Sequence, residues 1–182
     1  MKIVKFIKLL KQKYKIMGDH QNLSNESAAE KIRDLAEEIK TCMFCTYKYD
    51  KLQSRPMSVQ EIDEDGNLWF LSDKKSNKND EINLNPKVEL FFAQPHDKFL
   101  SLHGHATILY DRSKIKELWN PIIKVWMPEG EDDPDLSIIK VTPEDGYYWN
   151  NKHGKMVAVA KMTISLLTGK TMDDGIEGNL DL

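Results

Sequence analysis

Between Glu26 and Lys40 the apolar residues Ile32, Leu35, Ala36 and Ile39 fall at helical spacing, with charged residues between them. Ser27 and Glu30, three residues apart, read as a capping box that opens this helix. After Lys40 the pattern changes to short apolar runs separated by polar turn residues. Cys42–Tyr49, Gln53–Ile62 and Leu68–Ser72 are the first three predicted strands. Asp50, Lys51 and Leu52 join the first two, and Asp63–Asn67 joins the next, with Asp65-Gly66 supplying the positive-φ position of a turn. Joins this short predict an antiparallel meander. Pro56 makes the second strand an edge strand or a bulged one, because proline cannot donate to a ladder.

A polar stretch, Asp73–Asn79, leads into a short helix over Asp80–Leu84 that stops before Pro86. Val88–Ala93 and Phe99–Tyr110 read as strands four and five, and Gly104 marks a bulge or sharp bend in the fifth. Arg112–Trp119 reads as a helix stopped near Pro121. An acidic loop punctuated by Gly and Pro follows, from Pro128 to Pro134. Leu136–Val141 and Gly146–Asn150 are predicted strands six and seven, and Lys155–Leu167 is a predicted closing helix ended by Gly169. The polar, acidic residues from Thr171 read as a mobile tail. The predicted fold class is mainly β: a small closed or partly open β-barrel with peripheral helices. The predicted organisation is a basic amphipathic extension and linker over 1–25, a barrel domain over 26–170 and an acidic tail over 171–182.

Composition narrows the reading. The chain has 182 residues, 40% of them apolar, so one domain with a real core is expected. Its net charge is -3 with both signs scattered, which gives no electrostatic footprint for nucleic acid or an anionic membrane. The exception is Met1–Lys15, rich in lysine and without an acidic residue. Lysines interrupt its apolar residues too often for a secretory signal. Ile3, Phe6, Ile7, Leu9 and Leu10 recur at roughly helical spacing. A short amphipathic helix packed on the protein or a dimer partner is preferred there over one resting on a membrane surface. A cytoplasmic protein is expected.

Cys42 and Cys45 form one CxxC. The flanks read as strand, where residues three apart face opposite sides, so two buried, inert thiols are expected rather than a redox dithiol. His103 and His105 share a strand face but lack a third ligand, and Asp132, Asp133 and Asp135 lack EF-hand spacing; no metal is expected. The third strand runs into a loop with Lys74, Lys75, Ser76 and Lys78 and then a helix start. Free backbone N–H groups and the helix dipole favour an anion at such a place. Arg55 on the neighbouring strand could reach the same place and grip a phosphate. On the residues alone, a solvated loop beside an ordinary surface arginine explains the pattern slightly better.

The wider sequence shifts that balance. Ser54-Arg55-Pro56-Met57, Trp69-Phe70-Leu71-Ser72, Ser76-Asn77-Lys78 and Asn85-Pro86-Lys87-Val88 stand in an order and spacing that resembles the pyridoxamine 5'-phosphate oxidase-like FMN-binding split barrels. Leu102-His103-Gly104-His105-Ala106 continues the likeness. Trp119-Asn120-Pro121, Trp126-Met127-Pro128-Glu129-Gly130 and Asp132-Asp133-Pro134-Asp135-Leu136 resemble the general stress protein branch, and Tyr148-Trp149 and Leu167-Thr168-Gly169 complete it.

The resemblance implies FMN as cofactor and a homodimer with the flavin at its interface. It implies that Arg55 and Lys78 hold the phosphate with Ser76 and Asn77 assisting. Pro56, Met57, Phe70, Leu71 and Ser72 would line the isoalloxazine and ribityl side, and Trp149 would come from the partner subunit; core packing serves Trp149 equally well. Gln60 stands where the oxidase has a lysine, and Asn77 where it has a second phosphate-binding arginine. The oxidase's substrate-gripping Arg-x-His group has no counterpart. These departures speak against oxidation of a pyridoxine phosphate. The function expected is an FMN-dependent oxidoreductase acting with a small-molecule donor or acceptor. The alternative is a flavin-storing or flavin-sensing module without turnover. A more remote third is a barrel for a haem-like ligand, with His103 or His105 as axial ligand.

Overall fold

The computed structural model describes residues 19–95, 97–151, 163–164 and 175–182. The helix predicted over Met1–Lys15 lies outside them, as does the predicted closing helix apart from residues 163–164. The fold is mainly β, a split barrel with few helices. Strands β3 (Thr41–Lys48) and β4 (Lys51–Ser58) form a hairpin turned by Tyr49 and Asp50, with Tyr49 at φ 52°. The second predicted run breaks after Ser58 and resumes as β5 (Glu61–Ile62), which pairs with β6 (Leu68–Asp73). β6 also pairs with β9 (Leu136–Asn151), β9 with β8 (Lys98–Leu109), β8 with β7 (Lys87–Gln94) and β7 with β3. The circuit closes by chain continuity from β4 into β5 rather than by a ladder. β4 is therefore the edge strand that Pro56 predicts.

Inward positions alternate along each strand and meet in one core that includes Phe44, Leu68, Phe70, Leu90, Phe92, Leu100 and Leu102. Phe44 and Phe70 stack edge to face, with centroids 5.3 Å apart. Helix α1 (Glu26–Ile39) adds Ala28, Ile32, Leu35 and Ala36 to that core from one stripe. The predicted capping box does not form. Asn25 holds the capping position at φ 51°, and Ser27 sits inside the first turn, donating to the Ser24 carbonyl at 2.8 Å. Tertiary pairing sets this entry instead: the Asn25 amide donates to the Asp181 carbonyl at 2.8 Å.

Gly104 does mark a bulge, where the β8–β9 register slips between His103 and Gly104. A Cβ there would meet the Thr142 carbonyl oxygen at 2.3 Å. That slip absorbs Glu144, so predicted strands six and seven are one 16-residue strand. The expected mobile tail is instead strand β10 (Gly175–Asp181), antiparallel to the second half of β9. The expected linker supplies β1 (Asp19–His20) and β2 (Leu23–Ser24), both parallel to β10. Polar outward residues disguise this strand, yet Leu180 is buried in the main core.

Helix α2 (Asn77–Leu84) covers one end of the barrel, against β3 and β8. A second cluster lies across β6 from the main core. It joins Leu71, Leu136 and Ile138 to Ile115 and Leu118 of α3 (Arg112–Leu118) and to Ile123 of the 3-10 turn Pro121–Val125. Among the described residues, no helix is long and apolar enough to cross a membrane. Cys42 and Cys45 are both free and buried on opposite faces of β3, and burial pushes the Cys42 thiol up to about 12. That is the inert pair expected.

Candidate functional site

The barrel's inward positions turn polar at one end. On β3 the inward series runs Cys42, Phe44, Thr46; on β4, Met57, Arg55; on β6, Leu68, Phe70, Ser72. Period-two alternation therefore delivers Thr46, Arg55 and Ser72 to the same rim, with Ser137 opposite Ser72 on β9. Helix α2 closes over this rim and must meet polar groups with polar groups.

Two networks result. In the first, Asn79 donates to Ser137 Oγ at 2.9 Å and accepts from Ser72 Oγ at 2.8 Å and Ser76 Oγ at 3.2 Å. Ser137 Oγ donates to the Ser72 carbonyl at 3.2 Å. Ser72, Asn79 and Ser137 are buried, so these bonds fix where α2 begins. In the second, Arg55 Nη2 donates to Glu81 Oε2 at 2.7 Å and Arg55 Nη1 donates to Thr46 Oγ1. Thr46 Oγ1 in turn donates to Glu81 Oε2 at 2.5 Å. The three groups close a ring. Burial alone would raise the Glu81 carboxyl, but the bonds from Thr46 and Arg55 with the nearby positive charge outweigh it and hold the carboxyl below its ordinary range.

Lys78 lies in the first turn of α2, one turn ahead of Glu81. Burial first, and the Arg55 charge second, push its ammonium below the ordinary value. The Arg55 charge is thus felt at the Lys78 ammonium. The loop's other lysines do not join them. Lys74 Nζ lies 2.7 Å from Asp135 Oδ1, and Lys75 pairs with the other oxygen of the same carboxylate. Ser76 precedes α2 and lends its hydroxyl to Asn79; Asn77 is the exposed first residue of the helix.

The residues expected to line a ring divide. Pro56 points outward on β4 and is exposed, while Met57 points inward and is partly buried. Phe70 is fully buried in the main core, and Leu71 belongs to the second cluster on the opposite side of β6. Ser72 is fully buried against Asn79. Strand alternation thus commits the Phe70 side chain to the core. Trp149 is exposed on β9 and packs on Tyr147, with centroids 4.5 Å apart. In the order of the sheet, β8, β7 and β3 stand between β9 and β4. His103 pairs with Asp145 at 2.7 Å and His105 with Glu144 at 2.8 Å, on either side of the bulge. Among the described residues no group of three or more ligand side chains is arranged for a metal.

The sequence pattern of the family described as "Pyridoxamine 5'-phosphate oxidase like" matches residues 27–173. The chain belongs to this family. General stress protein 26 of Bacillus subtilis is 25% identical over 128 residues, covering 68% of this chain and 89% of that one. Protein bli-3 of Neurospora crassa is 25% identical over 129 residues, covering 65% of this chain; the chain spans 62% of that relative's length. Among solved structures, the general stress FMN/FAD binding protein of Xanthomonas citri shares the fold with a TM-score of 0.61 at 24% identity, over 72% of this chain and 94% of that one.

Within this pyridoxamine 5'-phosphate oxidase-like chain, sequence reading missed Thr46, Glu81, Asn79 and Ser137. One signal was available. A strand whose inward positions end in threonine or serine, after purely apolar ones, marks a rim that needs polar partners. Glu81 carried no comparable mark, since acidic residues are common on helices.

Proposed function

We propose that this chain binds FMN through Arg55 and Lys78 as a homodimer, and transfers electrons between that flavin and a small molecule. The reading is supported by a strand arginine anchored at the polar rim and a helix-start lysine whose ammonium feels that arginine's charge. A phosphate monoester carries close to two negative charges, and guanidinium, ammonium and free helix N–H groups suit it. The likeness to the general stress FMN/FAD binding protein of Xanthomonas citri supports flavin as the class of ligand. Two of the loop's three lysines are held by Asp135, which leaves cationic groups for one terminal phosphate. This favours a mononucleotide.

Flavin supplies the redox chemistry when bound; the chain supplies grip, orientation and shape. Glu81, held ionised, has no proton to donate at neutral pH. The outward face of the sheet supports the dimer. Met43 and Phe91 pair across β3 and β7, and Phe99 and Trp149 across β8 and β9; each is about two-fifths exposed. A second copy covering that face would bring its Trp149 toward the first copy's β4.

The test is the full chain purified without added flavin. A yellow dimer with the absorbance of oxidised FMN is expected, and bleaching by NADH or NADPH without oxygen supports turnover. A yellow protein that neither donor bleaches supports a binding module instead. A colourless monomer that takes up no FMN overturns the reading.

A further inference from the structure

We infer that Thr46 is a positioning residue of this phosphate subsite: its buried hydroxyl, backed by Glu81, fixes the plane of the Arg55 guanidinium. The inference rests on the flavin reading and adds a residue that touches no ligand. A guanidinium offers five N–H donors in a rigid fork. Here Nη1 and Nη2 each spend one, on Thr46 and Glu81, which leaves three for an incoming phosphate. The side chain is otherwise a flexible stem on an edge strand, with 26% of its surface exposed. Without a second anchor it would sample many rotamers, and each would have to be frozen on binding.

Thr46 is suited to the task by its place. It is fully buried and points inward from β3, the strand paired with β4. Its hydroxyl both donates and accepts, so it passes the fixed position of Glu81 on to Arg55. Glu81 is itself fixed, because α2 is bolted to β6 and β9 through Asn79. The chain of contacts runs from the barrel wall to the helix and back to the guanidinium. Glu81 also cancels one positive charge, so the rim carries the charge of a single cation beyond it. Orientation, more than attraction, then sets how tightly a phosphate is held.

The test is titration of flavin-free full-length protein with FMN and with riboflavin, which lacks the phosphate. Thr46→Val keeps the shape and removes the hydroxyl. It is expected to weaken FMN about tenfold, the scale of one hydrogen bond to a charged group. Riboflavin affinity should stay as in the wild type. Thr46→Ser, which keeps the hydroxyl, should restore FMN binding to within about threefold. If Thr46→Val does not fold, Thr46→Ala carries the same comparison. FMN affinity unchanged in the hydroxyl-free variant overturns the inference. So does an equal loss of FMN and riboflavin, or a Thr46→Ser protein as weak as Thr46→Val. If the wild type takes up neither flavin, the flavin reading fails by itself, and inorganic phosphate becomes the probe. Phosphate binding lost in Thr46→Val but kept in Thr46→Ser then sustains the positioning role; no phosphate binding in the wild type ends it.

Discussion

Two ionic clusters flank the start of helix α2, and they differ in one respect that decides their worth. Arg55, Thr46 and Glu81 meet inside the barrel rim, with Glu81 5% exposed. Lys74, Lys75 and Asp135 meet outside it, where Lys75 is 71% exposed. Both contain short contacts between full charges. Water screens the outer cluster, and exposed pairs of that kind contribute little. The inner cluster is largely shielded from water on its Glu81 and Thr46 side, so each of its groups depends on the others. Composition presents the loop as three equivalent lysines; the fold retires two and leaves Lys78 under the influence of the Arg55 charge.

The contrast breaks most visibly with Arg55→Ala and Lys78→Ala together. FMN retention should fall by two or more orders of magnitude, since each charged hydrogen bond contributes ~1.5–3 kcal/mol. Retained flavin after gel filtration measures it, and unchanged retention contradicts the assignment. Next comes Asn79→Ala, which strands Ser72 and Ser137 in the interior. Stability in urea should drop by about 2–3 kcal/mol, the cost of buried groups left without partners.

Acid sharpens the comparison further. Glu81 titrates below its ordinary 4.5 in the fold, so its contribution is fully present above that value. It is lost as pH falls through the lower, folded value. Wild type should therefore lose stability in that window faster than Glu81→Gln, as followed by thermal melts at stepped pH. The smallest effect belongs to Asp135→Asn, which frees both outer lysines: melting temperature and flavin retention should barely move, although Asp135 too titrates low.

The sequence made legible what single residues dictate. Pro56 announced an edge strand, Gly104 a bulge and Pro86 the end of α2, because each limits the backbone locally. Pattern resemblance singled out Arg55 and Lys78 as candidate phosphate ligands. What stayed hidden depends on contacts across long stretches of chain. Thr46 and Glu81 are 35 residues apart, and Asn79 and Ser137 are 58 apart. No local pattern records that they meet. β10 was hidden for a related reason: a segment with only two apolar side chains, Ile176 and Leu180, forms a strand when β9 and the Asp19–Ser24 segment supply ladders on both sides.

That last arrangement constrains how the molecule is made. Asn22 accepts from the amide of Asn179, a contact spanning 157 positions. Pairings this distant close slowly and cannot begin before the later partner exists. While the ribosome is still extending the chain toward residue 175, β9 carries a bare edge along Gly146–Asn151, and the Asp19–Ser24 segment has nothing to zip onto. A nascent chain stalled at that stage would offer a sticky strand to its neighbours, making this flank the point at which a chaperone has most to protect.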